Sequence, residues 1–180
     1  GELDGRLFFN VAGIGLDAEV IDAMEKQRRA GHTATPFRYL ATVIRHTFWI
    51  TDRRNPRLSL RRPSRLTVDG VFHVIVQNTS PWTYFGTWPI QPCPDASFDT
   101  GLDVFALRSL DTTNTLRAAR RMIMHAKAGS TRNSIVIWHD VDAFTVTMSV
   151  PKGLQIDGES IGLVTEVHLE SVPDALEVFV

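Results

Sequence analysis

"AFTVTMSVPKGLQIDGESIGLVTEVHLE", residues 143–170, runs apolar and polar residues in alternation, with breaks at Pro151-Lys152-Gly153 and at Asp157-Gly158. A period of two puts successive side chains on opposite faces of a pleated strand. The stretch therefore predicts strands over 143–150, 154–157 and 163–170. Asp157-Gly158 lies between two extended runs and predicts a hairpin, because a type I′ turn needs positive φ and glycine adopts it without strain. "NSIVIWHD" (133–140) and "ALEVFV" (175–180) carry the same alternation on either side. Upstream, residues 7–12 read as a buried strand and 102–107 as another. "RLTVDGVFHVIVQN" (65–78) predicts a second hairpin, turning at Asp69-Gly70. Short strands with turn signals between them predict a mostly-β fold, a two-layer antiparallel β-sandwich with two or three helices.

The helices are read from caps and stripes. Asp17 fits an N-cap, followed by Ala18, Ile21 and Met24 on one face and by Arg28 and Arg29 before Gly31. A second helix starts at Thr35-Pro36 and carries Phe37, Leu40, Ala41, Ile44 and Phe48 on one stripe. A third spans 113–125 with Leu116, Ala119 and Ile123 facing inward. Residues 82–95 form a loop rich in proline and aromatic side chains.

At 180 residues, with 43% hydrophobic and 22% charged residues, the chain has the profile of one globular domain. Its net charge of −1 gives no global attraction to nucleic acid or membrane. Cys93 is the single cysteine, which precludes an internal disulfide and fits a reducing, cytoplasmic setting. No signal peptide is visible, and the most apolar run, "FRYLATVIRHTFWI", is interrupted by Arg38, Arg45 and His46. The apolar stretch beginning at Leu7 reads as the start of a piece of a longer protein.

Several motifs invite a chemical reading. "GIGLDA" (13–18) has the G-x-G-x-x-A shape of a dinucleotide fingerprint, but a second helix follows where a parallel strand ending in an acid is needed. A tight strand-to-helix turn accounts for these glycines. No H-E-x-x-H, C-x-x-C or G-K-[ST] pattern occurs. "RRNPRLSLRRPSR" (53–65) holds six arginines and reads as a solvated surface or as a contact for anionic lipid headgroups. Without aromatics in the run to stack bases, a membrane surface suits it better than nucleic acid. Asp95, Asp99 and Asp103 surround a glycine turn, a pattern found in cation loops and in ordinary loops alike.

Taken in order, "FFNVAGIGLDAEV", "LTVDG…VIVQNT", "PIQPCPDASFDTGLDV", "LQIDGE" and "VPDALEVFV" resemble the C-terminal domain of the diacylglycerol kinase and sphingosine kinase superfamily, over residues 8–180. The resemblance implies a two-domain, ATP- and Mg²⁺-dependent kinase that phosphorylates a lipid hydroxyl. It identifies residues 1–180 with the second, lipid-binding domain, since the Gly-Gly-Asp-Gly-Thr motif of the nucleotide-binding domain is absent. By the same resemblance Asp157, Gly158 and Glu159 face the interdomain cleft, contributing to catalysis and to the nucleotide site, with Glu159 as proton acceptor.

It also implies a structural Mg²⁺ held by the Ser97 and Leu102 carbonyls and an acidic residue, a position that Thr100 occupies here. A neutral hydroxyl is a far poorer Mg²⁺ ligand than a carboxylate. The lipid cleft is expected between the aromatic loop 82–88 and the helix 35–50. The partners implied are a lipid, an anionic membrane surface bound peripherally, the nucleotide-binding domain and, through the uncovered interdomain face, a second copy of the chain. Alone, these residues are expected to be inactive. An NAD kinase-like domain, whose site needs polar walls, and a non-catalytic lipid-binding or regulatory module are the alternatives.

Overall fold

The computed structural model describes residues 1–31, 33, 35–46, 51–124 and 134–175. In chain order the elements are β1 (Glu2–Leu3), β2 (Arg6–Leu7), β3 (Val11–Gly15), α1 (Leu16–Arg29), α2 (Pro36–Arg45), β4 (Leu58–Arg61), β5 (Val68–Val71) and β6 (His73–Gln77). They continue with β7 (Thr83–Phe85), β8 (Trp88–Ile90), β9 (Leu102–Leu107), α3 (Thr112–Ile123), β10 (Ile135–Val141), β11 (Ala143–Ile156) and β12 (Glu159–Glu170). One large sheet runs β10-β9-β6-β3-β11-β12-β1-β2, with β4 joined to β11 and to β5; β7 and β8 pair separately. Every described pairing is antiparallel.

The sheet becomes a sandwich at β11. Residues 145–148 pair with β4, whereas 154–156 pair with β3. Between them the register against β12 slips, and Pro151, which has no N–H to give a ladder, lies in that slip. The two halves of one strand thus belong to different layers. Ala12, Ile14, Val74, Val76, Val104 and Ala106 face Leu58, Leu60, Phe144, Val146, Val167 and Leu169 in the core between them. The outer face of β3, β6 and β9 is covered as well: Val11, Ile75, Phe105 and Leu107 pack on Ala118 of α3 and on Cys93, Ala96 and Leu110. With both faces buried, β6 and β9 need near-continuous apolar sequence, and "LDVFAL" supplies it over the expected 102–107.

Several elements differ from the sequence reading. Asp69-Gly70 is not a hairpin turn. Val68 and Val71 both pair with β4, two residues of β5 bulge against one, and β6 pairs instead with β3 and β9. The chain crosses between layers at Phe72. The strand expected over 7–12 begins at Val11, because residues 8–10 bend to meet the 157–158 turn. The first helix starts directly at Leu16, with Gly15 as N-cap and no side-chain cap bond. Gly15 has φ of 86°, and a Cβ there would lie 2.8 Å from the Phe72 carbonyl oxygen. Glycine is therefore required twice over at the strand-to-helix turn.

The second helix starts at Pro36 as expected, and Thr35 caps it, accepting from the Arg38 N–H at 3.3 Å, but Ala41 is exposed and Thr42 is buried. Phe48 lies outside the described residues, as do His125 and 176–180. In α3 the inward residue is Ala118; Leu116 and Ile123 are 62% and 40% exposed. The small side chain at 118 packs on the sheet with the half-buried Met122 beside it, while Leu116 and Ile123 lie on the outward side. The loop 82–95 contains the β7–β8 hairpin, closed at Gly86 with φ of 61°.

Candidate functional site

The Asp157-Gly158 turn is a two-residue loop between the paired Ile156 and Glu159. Both turn residues have positive φ, 47° and 86°, as a type I′ turn requires. The Asp157 carboxylate accepts three backbone N–H groups, from Phe9 at 2.7 Å and from Asn10 and Val11 at 2.8 Å each. Its own N–H returns a bond to the Val11 carbonyl at 2.8 Å. The Gly158 N–H goes to Oε1 of the buried Gln155 at 2.9 Å. Asp157 and Gly158 thus spend their polar groups in fixing the turn against the start of β3. The Glu159 side chain is exposed, and its carboxylate makes no hydrogen bond or ion pair among the described residues. Of the three residues singled out, Glu159 is the one whose carboxylate is left for a ligand.

The acidic loop lies at the same end of the sheet, where the Phe9 and Phe98 rings meet with centroids 4.8 Å apart. The donors expected to hold Mg²⁺ are turned to other uses. The Ser97 carbonyl accepts from both the Thr100 amide, at 3.2 Å, and the Thr100 hydroxyl, at 3.0 Å. Leu102 is tied into β9 opposite Val141. A hydroxyl that hydrogen-bonds the neighbouring carbonyl closes the loop on itself, and the Ser97, Thr100 and Leu102 set does not fit a hard cation.

Asp95, Asp99 and Asp103 do not converge either. Asp103 is buried and accepts His139 Nδ1 at 2.8 and 3.0 Å through its two oxygens, and the Asp140 amide at 3.2 Å. That hydrogen bond raises the His139 pKa. Among the described residues no cluster of His, Cys, Asp or Glu is placed to hold a metal. Cys93 is buried, which pushes its thiol pKa up and leaves it unreactive.

The second feature is an apolar cavity of about 140 Å³ between the three helices and the outer face of β6 and β9. Leu16, Val20, Ile75, Leu107, Leu110 and Met122 form most of its wall, with His73 and Thr115 the polar members. Val43 of α2 and Trp82 of the aromatic loop also line it, one residue from each segment expected to wall a cleft, whereas Tyr84 and Trp88 are exposed. His73 is buried, its Nδ1 lies 3.3 Å from the Ile14 carbonyl, and burial lowers its pKa to about 4. The cavity borders the His73 end of β6 and the carboxylate turn borders the Gln77 end. The span is four residues, roughly 13 Å at a strand's usual rise.

The arginine run is dispersed by the fold. Arg53 donates to the Leu110 carbonyl. Arg57 lies 4.0 Å from Asp52, and Arg62 stacks 4.1 Å from the Trp138 ring centroid. Only part of the run is left as an open charged surface. Among the described residues, no helix is long and apolar enough to cross a membrane.

No family model matches the sequence, and no curated protein matches it. Solved structures do. A diacylglycerol kinase from Bacillus anthracis matches 96% of this chain and 49% of its own, with a TM-score of 0.59 and 13% identity. Two further diacylglycerol kinase-like structures from Bacillus anthracis match 94% of the chain, with TM-scores of 0.61 and 0.54 at 20% and 18% identity. The chain spans about half the length of each. It therefore has the fold of one half of a diacylglycerol kinase-like protein, in agreement with the resemblance carried by its motifs.

Proposed function

We propose that this chain is the lipid-binding domain of an ATP-dependent lipid kinase, completed by a nucleotide-binding domain, that phosphorylates the hydroxyl of a diacylglycerol-like lipid. The observation that carries the reading is the apolar cavity in a fold shared with diacylglycerol kinase-like proteins. An NAD kinase-like site would need polar walls, and this cavity has two polar residues among those lining it. The cavity takes the acyl portion. Glu159, held in place by the Asp157-anchored turn, accepts the proton of the attacking hydroxyl. ATP with Mg²⁺ supplies the phosphoryl group and the charge that stabilises its transfer. The domain that binds ATP lies outside these residues.

The test is a transfer assay on the intact kinase with diacylglycerols of graded chain length. Ala119→Phe, at the exposed rim of the cavity, is expected to raise the KM for long-chain substrate roughly tenfold, the scale of losing a few buried methylenes, with kcat little changed. The 180-residue chain alone should transfer no phosphate. Turnover by the chain alone, or wild-type KM in the variant, would contradict the assignment. Lipid binding with no transfer by the intact protein would favour a non-catalytic lipid module.

A further inference from the structure

Beside the apolar cavity lies a wider basin of about 590 Å³, and its wall carries Arg53, Arg54 and Arg108. Two distant segments build it. Arg53 reaches the Leu110 carbonyl and so ties residues 53–54 to the segment that follows β9. Arg108 is steadied from the opposite side, its Nε donating to the Asp69 carbonyl at 3.1 Å. Neither Arg54 nor Arg108 forms an ion pair among the described residues. Ser109 and Thr112 add hydroxyls to the wall. Asp111 also lines the basin, but its carboxylate is engaged as the N-cap of α3, accepting the Asn114 amide at 2.9 Å and the Ser109 hydroxyl. Arg54 and Arg108 thus line the basin beside one occupied carboxylate, with Arg53 anchored at the Leu110 carbonyl. Leu110 lines both the basin and the apolar cavity, so a charged group and an alkyl chain have adjoining places.

We propose that Arg53, Arg54 and Arg108 form a binding site for a phosphate group, carried as the headgroup of a phospholipid. Guanidinium forks match phosphate oxygens in charge and geometry, and the adjoining cavity favours a phosphate that is attached to an acyl chain. The site needs an amphiphile and no phosphoryl transfer, so it does not depend on the kinase reading.

Titration calorimetry without ATP tests it, using dihexanoylphosphatidic acid below its micelle concentration, dihexanoylglycerol and inorganic phosphate. The phospholipid is expected to bind more tightly than either of the others, and to weaken as salt is raised. Arg54→Gln with Arg108→Gln should weaken it roughly tenfold, the scale of losing charge-assisted hydrogen bonds. Arg54→Gln alone, whose exposed side chain makes no hydrogen bond or ion pair among the described residues, should weaken it about threefold. Equal affinity of wild type and both variants for the phospholipid would overturn the site. Inorganic phosphate binding as tightly as the phospholipid would overturn the lipid assignment.

Discussion

Asp69-Gly70 and Asp157-Gly158 are the same dipeptide between extended runs, and the protein uses them in opposite ways. Both glycines have positive φ, 74° and 86°, but of the two aspartates only Asp157 does, at 47°. A type I′ turn needs both residues there; the other pair is absorbed as a bulge inside β5. The carboxylates differ as well. Asp157 gathers three amides from a segment 146–148 residues away, whereas the exposed Asp69 contributes a backbone carbonyl to Arg108. The turn is therefore decided by what the aspartate can reach across the fold, and the dipeptide only permits it.

The comparison can be broken by substitution. Asp157→Ala strips three amides of a charged acceptor and should lower stability by about 3 kcal/mol, with Asp157→Asn costing roughly half of that. Asp69→Ala should cost under about 0.5 kcal/mol. Equal melting midpoints for the two alanine variants in urea would show that the Asp157 bonds contribute nothing net. Gly158→Ala is a smaller perturbation. A Cβ there would meet no atom within 4 Å, so only the positive φ is strained, at about 1–2 kcal/mol. Gly15→Ala carries the same strain plus a backbone clash and should be the worse of the two by at least about 1 kcal/mol.

Two histidines, His73 on β6 and His139 on β10, extend the contrast to pH. Burial holds His73 at about 4, below its unfolded value near 6.5. Its contribution is present above pH 6.5 and is lost as pH falls toward 4, up to about 3 kcal/mol. His73→Gln should flatten the stability profile over that window; an unchanged slope would mean that His73 is solvated. For His139 the sign is reversed. The Asp103 hydrogen bond raises its pKa, so its contribution is full below pH 6.5 and fades as pH rises through the elevated value. With a half-exposed ring this is the smallest effect, and Asp103→Asn should remove it.

Where a signal was local, the fold was legible. Strand β9 and the start of α2 at Pro36 follow from residues within one turn or one strand, and period two marks the segments of β11 and β12, although β11 runs unbroken through the expected gap at 151–153 and β12 begins at Glu159. Errors arose where a distant partner chose between two local solutions: the layer crossing at Phe72, and the rotation of α3 that buries Ala118 in place of Leu116. The site divides in the same way. Glu159 was singled out because the motif around it resembles a lipid-kinase family, and the structure leaves its side chain exposed beside the anchored turn. Of the cavity wall only the α2 and aromatic-loop segments were anticipated; its β6, β9 and α3 residues and the Arg108 side of the basin were not, because they are assembled from segments up to about a hundred residues apart and no short motif records that meeting.

The most direct test of the proposed function is to measure lipid phosphorylation by the intact protein with Glu159→Gln beside Asp69→Asn. Gln keeps the shape of Glu159 and loses its ability to accept a proton, so kcat should fall roughly 10²–10⁴-fold with lipid KM nearly unchanged. Asn-Gly is as compatible with the local backbone as Asp-Gly, and Asp69→Asn should stay within about twofold of wild type. Similar activities for the two variants would reduce Glu159 to a surface residue beside a turn and contradict the account.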